Sequence, residues 1–238
     1  MKKGVCCKCF RKSCQSGFTL FEILISIFIF AIVVTTIFGS YQAVFSKAGA
    51  IQEGIDVCDM MNNCLGRMTE DLKSAYVDLP PGYAKPKFDS DPDPWRMVGD
   101  TFYTGSGSFS RFRFASSAHM SLTKDERSGI ASIVYYVSDT QDKRYVLKRS
   151  DNLPPYPKFP AGFEEKAADP VLCDNVKSLK FIYYDEEGME HEDWDSDSQE
   201  FRYATPSAIK ITIETGDESH SVFFGTTVKF PVFREKMD

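Results

Sequence analysis

The sequence predicts an α+β protein in which one long N-terminal helix begins as a membrane span and then packs on antiparallel β-sheet. Three observations predict it. Residues 18–38, FTLFEILISIFIFAIVVTTIF, form an apolar run broken by one acid, Glu22. No proline occurs before Pro80, so nothing in the backbone forces the helix to stop where the apolar run ends. Beyond residue 108, period-two or strongly β-prone segments recur and are joined by short connections. Composition agrees, since 238 residues suffice for one ordinary domain plus an appendage, and 20 Phe and 11 Tyr supply a core that a disordered chain lacks.

The first element is a basic leader. Lys2, Lys3, Lys8, Arg11 and Lys12 stand in residues 1–17 with no acid among them, so the formal charge of −6 divides into +5 over the leader and −11 over the rest. A body so acidic argues against nucleic acid as a partner, because phosphate binding needs clustered Lys and Arg. The apolar run 18–38 follows, and as a helix it rises roughly 30 Å, the thickness of a bilayer core. Basic residues ahead of the span and none as dense behind it place the N-terminus in the cytoplasm and the remainder outside, single-pass. Ile37, Phe38, Gly39, Ser40 and Tyr41 make a poor signal-peptidase site, so the helix is expected to be retained. Lipidation is disfavoured, because Cys6, Cys7, Cys9 and Cys14 precede the apolar stretch rather than follow it.

The helix is expected to continue over residues 39–78, ending near Tyr76. Val44, Ala48, Ile51, Ile55, Cys58, Leu65, Met68 and Leu72 recur at three- and four-residue spacing, with Lys47, Glu53, Asp59, Glu70 and Lys73 on other faces. Either a coiled-coil partner or the chain's own sheet would cover such a stripe; the strands downstream favour the sheet. The body, residues 79–238, opens with a connection, 79–108, rich in proline and glycine, holding a short strand near 101–103. Strands are expected at 109–115, 130–138, 144–149, 176–184, 208–215 and 222–230. In one of them Ile209, Ile211 and Ile213 alternate with Lys210, Thr212 and Glu214. The short connections at 139–143 and 216–219 favour hairpins.

Glu22 needs an explanation, because a carboxylate at mid-membrane costs about 2.5–3.5 kcal/mol, and less near the surface. A shallow position that lets it reach the headgroups is one explanation. The residues around it offer another. Gly17-Phe18-Thr19-Leu20-Phe21-Glu22, with a basic leader before it and an uninterrupted apolar helix after it, resembles the N-terminus of type IV pilin-like proteins. The resemblance implies cleavage after Gly17 by a prepilin peptidase, N-methylation of Phe18, and assembly through Glu22. The chemistry is consistent, since cutting there exposes an ammonium on Phe18 that Glu22 of a neighbouring subunit can neutralise within the apolar layer.

The later strands narrow the resemblance. Tyr135-Tyr136-Val137, then Tyr145-Val146-Leu147-Lys148-Arg149, then VKSLKFIYYDEEG over 176–188 with Trp194 beyond it, then Pro206-Ser207-Ala208-Ile209-Lys210-Ile211, is similar to the J-type minor pseudopilin of type II secretion. That family implies a structural subunit of the pseudopilus tip in the inner membrane, its body in the periplasm. It would be joined to I-type and K-type minor pseudopilins and other pseudopilins, with no catalysis of its own. A minor pilin that primes or tips a type IV pilus shares the N-terminus and a similar build, and is the alternative. A membrane-tethered hydrolytic or calcium-dependent enzyme is the rival of a different class.

Few residues support that last rival. The acidic stretch 185–200 has the carboxylate density that holds calcium, with Asp193, Asp195 and Asp197 as candidate ligands. It lacks the turn glycine and the final bidentate acid of an EF-hand, Ser198 and Ala204 standing in those places, so a solvated acidic loop is the simpler reading, as is a rim that steers a basic partner. No cofactor is expected. His191-Glu192 begins like HExxH, but Asp195 replaces the second His. His119 and His220 have no Cys or carboxylate at ligand spacing, and Gly105-Ser106-Gly107-Ser108 lacks the nucleophile-elbow order. No phosphate-binding G-x-x-x-x-G-K-[ST] occurs, so any energy for transport comes from elsewhere. Of the cysteines outside the leader, Cys58 and Cys64 lie about 9 Å apart on a continuous helix, too far to bridge, whereas either can meet Cys173. A buried free thiol is the other outcome for each.

Overall fold

The computed structural model describes residues 17–87, 91–104, 107–120, 128–140, 142, 144–160, 163–216 and 221–237, with side chains left undescribed at 46–50 and 53. The chain divides into two compact units, Met1–Ile55 and Asp56–Asp238. The leader's basic residues and cysteines, residues 217–220 with His220 among them, and the Gly105-Ser106 pair lie outside the described residues.

One helix, α1, runs from Leu20 to Lys73. Within the first unit, Leu20–Phe45 has a mean hydropathy of 2.6 and none of it is buried. A helix apolar on every side and covered on none needs lipid around it, and this one is long and apolar enough to cross a membrane. Its serine and threonine hydroxyls bond within the helix: those of Ser26, Thr35, Thr36 and Ser40 each donate to a carbonyl one turn back, at 2.7–3.0 Å.

In the second unit the helix, from residue 56 to Lys73, lays Met61, Cys64, Met68 and Leu72 into the core, with Val57, Met60 and Leu65 partly buried beside them. The expected stripe was drawn too far round. Ile51, Ile55 and Cys58 are exposed, and Cys58 stands about 80° round the helix from Met68 at 100° per residue. The apolar positions form two overlapping stripes, and only the one containing Met61 and Cys64 meets the body. The helix also stops at Lys73 rather than near Tyr76. There the backbone turns into sheet pairing: Ala75 bridges Ser116 and Tyr76 N–H donates to Ala115 O at 2.8 Å.

Among the described residues ten strands follow: β1 (Val98–Thr104), β2 (Gly107–Ser116), β3 (Ala131–Asp139), β4 (Tyr145–Asn152), β5 (Val171–Cys173), β6 (Val176–Tyr184), β7 (Glu190–His191), β8 (Trp194–Asp195), β9 (Ala208–Gly216) and β10 (Ser221–Lys229). They form two antiparallel sheets, one ordered β5-β4-β3-β2-β1-β8 and the other β10-β9-β6-β7. The inner faces share one core with α1. Phe112, Phe114, Ile133 and Tyr135 come from the larger sheet, and Phe181, Tyr183, Ile209 and Ile211 from the smaller. Strand β3 is central and buried on both faces. Its alternate residues Val134 and Tyr136 meet Phe159 and Phe163, which the 153–170 connection folds over the outer surface of the sheet.

The structure departs from the expected strands in two ways. The first strand is Val98–Thr104, seven residues rather than three, because β1 pairs β2 along its whole length, from Val98↔Arg113 to Thr104↔Gly107. Gly99 permits that strand to lie where it does. A Cβ there would fall 1.8 Å from the Tyr183 hydroxyl oxygen, so only glycine fits against this ring. Three short strands, β5, β7 and β8, had no periodic signal, since two or three residues are too few to show a period.

Candidate assembly site

The N-terminal determinants come from the start of α1. Gly17 and Phe18 precede the helix and are exposed, Phe18 by 80 % of its surface. Thr19 is the N-cap: its Oγ1 accepts from Glu22 N–H at 3.3 Å, and its carbonyl accepts from the same N–H at 3.1 Å and from Ile23 N–H at 3.3 Å. Thr19-x-x-Glu22 therefore has the order of a capping box, with Glu22 in the first turn, where the helix dipole favours an acid. Glu22 is exposed, on the same apolar surface as Phe21 and Ile25. The residues that the resemblance assigns to processing and assembly thus stand at, and just before, a helix start capped by Thr19.

In the body, the helix is held by a buried ionic cluster that the sequence did not reveal. Asp71 has no exposed surface, yet its carboxylate accepts from Arg149 Nε at 2.7 Å, Arg149 Nη2 at 3.2 Å, Arg67 Nη2 at 2.5 Å and the Tyr135 hydroxyl. Arg149, on β4, also pairs with Asp151 at 2.6 Å, and Asp151 takes His119 Nδ1 at 2.6 Å and the Met120 N–H at 2.9 Å. Burial and the adjacent Asp71 push the Tyr135 hydroxyl well above its ordinary range. Burial opposes ionisation of Asp151, but the bonds from Met120, His119 and Arg149 hold its carboxyl below the usual range. His119, which in sequence has no acid at ligand spacing, meets one through the fold.

The acidic stretch is not the uniformly solvated loop the sequence suggested. Asp185 is buried, and Gly188, at φ +83°, closes a tight turn back to it. Burial raises the cost of its charge, yet the bonds from Met189 N–H at 2.8 Å and Lys236 Nζ at 3.1 Å outweigh that and bring its carboxyl down to about 2. His191 packs edge-on against Trp194 and Phe201, while Glu192 pairs with Lys180 at 2.6 Å. Glu192 and His191 are thus committed to other contacts, and the HExxH-like start has no metal geometry.

The three calcium candidates separate. Asp193 is exposed; Asp195 faces Arg96 at 3.5 Å; Asp197 accepts from the Tyr83 hydroxyl at 2.9 Å and the Asp93 N–H at 2.7 Å. Only Asp195 lies in β8; Asp193 precedes the strand and Asp197 stands in the turn after it, so the three meet different surroundings. Among the described residues, no three His, Cys, Asp or Glu side chains are grouped as metal ligands would be. Burial pushes the carboxyls of both Asp93 and Asp195 above the ordinary range.

Arg234 ties this region together. Fully buried, it donates to the carbonyls of Tyr203 at 2.7 Å, Asp78 at 3.0 Å and Ser196 at 2.9 Å, and its guanidinium lies 3.3 Å from the centre of the Tyr83 ring. Arg113 is similarly placed, donating to Pro94 O and to Arg96 O at 3.0 Å; burial and the nearby Arg96 lower it to about 10. No sequence pattern pointed to either arginine, because their partners are mostly backbone carbonyls on other elements, which leave no mark in the sequence. Cys64 and Cys173 come within 3.6 Å, sulfur to sulfur, while Cys58 remains exposed.

The arrangement offers a helix apolar enough to cross a membrane, with an acid in its first turn, and a body in which buried charged groups such as Asp71, Arg149 and Arg234 hold its own elements together. The family model described as Type II secretion system (T2SS), protein J matches residues 39–223, and the Prokaryotic N-terminal methylation motif matches residues 12–38. A comparison with curated proteins returned no match.

Proposed function

The chain belongs to the type II secretion protein J family, and from that premise we propose that it is a minor pseudopilin acting at the tip of the secretion pseudopilus, in protein export across the outer membrane. The observation that carries the reading is the protein J match over well over half of the chain, immediately downstream of a methylation motif and an uncovered apolar helix. The role is structural. Members of such a fibre are processed by a prepilin peptidase and pack beside other pseudopilins, and the helix serves as a single-pass anchor.

The finer parts of the reading follow from chemistry. Cleavage after Gly17 leaves an ammonium on Phe18, which is then N-methylated, and Glu22 of the adjoining subunit neutralises it in the apolar layer. The N-terminus starts in the cytoplasm of the inner-membrane topology and the body lies in the periplasm, as the leader's charge favours. The I-type and K-type minor pseudopilins are its neighbours at the tip. The chain carries no catalytic site and uses no cofactor; calcium titration of the purified protein, watched by thermal shift, checks the latter.

The deciding experiment is capture of the full chain from native membranes, with bound proteins identified by mass spectrometry. Recovery of I-type and K-type pseudopilins supports the tip position, and recovery of type IV pilus minor pilins in their place overturns it. Two substitutions separate the duties of Glu22. A capping box accepts Glu or Gln, so Glu22→Gln keeps the helix start and removes the charge, whereas Glu22→Ala removes both. Loss of secretion and of fibre incorporation in Glu22→Gln is expected; unchanged secretion in both variants refutes the assembly role.

A further inference from the structure

The second unit holds two thiols that the proposed function does not use. Cys64 lies on the buried face of α1, one turn from Met61 and Met68, and Cys173 ends β5 at the edge of the larger sheet, where it pairs with Leu147. They are 109 residues apart in the chain, both almost fully buried, and the Cys64 thiol donates to Cys173 Sγ at 3.6 Å. A thiol is a weak donor, so this contact contributes little as a hydrogen bond. The sulfurs need approach only about 1.5 Å further to reach bonding distance. Cys58, exposed and on another face of the helix, does not compete for either sulfur.

From this geometry we propose that Cys64 and Cys173 close a disulfide that staples the helix to the edge of the larger sheet. The two thiols lose two protons and two electrons to a disulfide-bearing thiol oxidant, whose own S–S bond is reduced to two thiols as the Cys64–Cys173 bond forms. The inference rests on the proposed location of the body outside the cytoplasm, where such oxidants are met. The order of events follows from burial. Once the helix has docked, burial of both sulfurs keeps an oxidant from reaching them, and the bond donated to Cys173, then burial itself, hold the Cys64 thiol far above its ordinary range. The bond therefore forms while α1 is still settling onto the sheet, and afterwards it is shielded from reductants by the same burial.

The consequence is a fold closed at two points along the helix, one covalent at Cys64 and one ionic at Asp71. The test uses full-length protein extracted from native membranes, with free thiols alkylated at once, and peptide mapping without reduction. A peptide pair joined through Cys64 and Cys173 is expected, with Cys58 alkylated. Reductant is expected to lower the melting temperature of the native protein by roughly 5–15 °C and to leave Cys173→Ser unmoved.

If both thiols emerge alkylated from the cell, the protein is unfolded and refolded in detergent with oxidised glutathione. A bridge that forms there upholds the pairing and turns the failure against the location of the body. No bridge under those conditions overturns the pairing itself.

Discussion

Replacing Asp71 with Asn tests whether the buried ionic cluster holds the helix to the body. The change preserves shape and removes one negative charge from a site with no exposed surface. Arg149, only 2 % exposed, then loses the partner that accepts from two of its nitrogens and keeps Asp151; Arg67 and the Tyr135 hydroxyl lose a charged acceptor. Removing one member of a buried pair costs about 3–5 kcal/mol, and the surviving Asp151 contact places this case near 3. For a folded unit of this size that is roughly 6–12 °C in melting temperature. Both tryptophans, Trp95 and Trp194, lie in the second unit, and Trp194 is buried, so their fluorescence during guanidinium unfolding of the full chain in detergent reports on this unit alone. A loss under about 1 kcal/mol would refute the reasoning, since desolvation would then have cancelled nearly all of the pairing. Arg149→Met in the Asp71→Asn background is expected to recover part of the loss, because no unpaired guanidinium is left in the core.

Three further outcomes are expected. Gly99→Ala forces its Cβ onto the Tyr183 ring and is expected to cost about 1–3 kcal/mol by denaturant unfolding. Tyr183→Phe alone is expected to be neutral or stabilising, because the buried Tyr183 hydroxyl has no hydrogen-bond partner among the described residues, and it should relieve part of the Gly99→Ala defect. Asp185 has a carboxyl depressed to about 2, so it contributes stability that is present above its unfolded value near 4 and is lost as the pH falls toward 2. Unfolding midpoints measured across that window should fall less steeply in Asp185→Asn than in the native protein. Arg234→Met removes donors to three carbonyls and should cost about 2–4 kcal/mol, while Arg234→Lys, with its single ammonium, restores only a minority of that.

The elements legible in the sequence are those whose signal is local. The apolar run marks the helix long and apolar enough to cross a membrane, and alternation such as Ile209-Lys210-Ile211 names strands that have one wet face. Short hairpin connections give antiparallel order. What escaped is nonlocal. β5, β7 and β8 exist because longer strands lie beside them, not because two or three residues prefer extension. Asp71 reads as one more polar residue on a helix, and its burial depends on an arginine 78 residues away. The acidic stretch shows the same limit: charge density is visible in sequence, whereas the partners that separate Asp185, Asp195 and Asp197, among them Lys236, Arg96 and Tyr83, come from distant parts of the chain. The N-terminal motif was legible because it is local: the resemblance rests on Gly17, Phe18 and Glu22 beside an apolar run, the methylation motif matches there, and the structure adds the capping role of Thr19.

The position of the Asp71 cluster near the end of the helix gives the body a directional response to force. A load along the helix axis, as in a growing fibre, shears Met61, Cys64, Met68, Leu72 and the ionic contacts together, so all of them share it. A load perpendicular to the axis instead peels the helix turn by turn from residue 56, parting Met61 and Cys64 before it reaches Asp71 and Leu72. The attachment is therefore stiffer along the helix axis than across it, and the last contacts to part under peeling, Asp71 and Leu72, have no exposed surface.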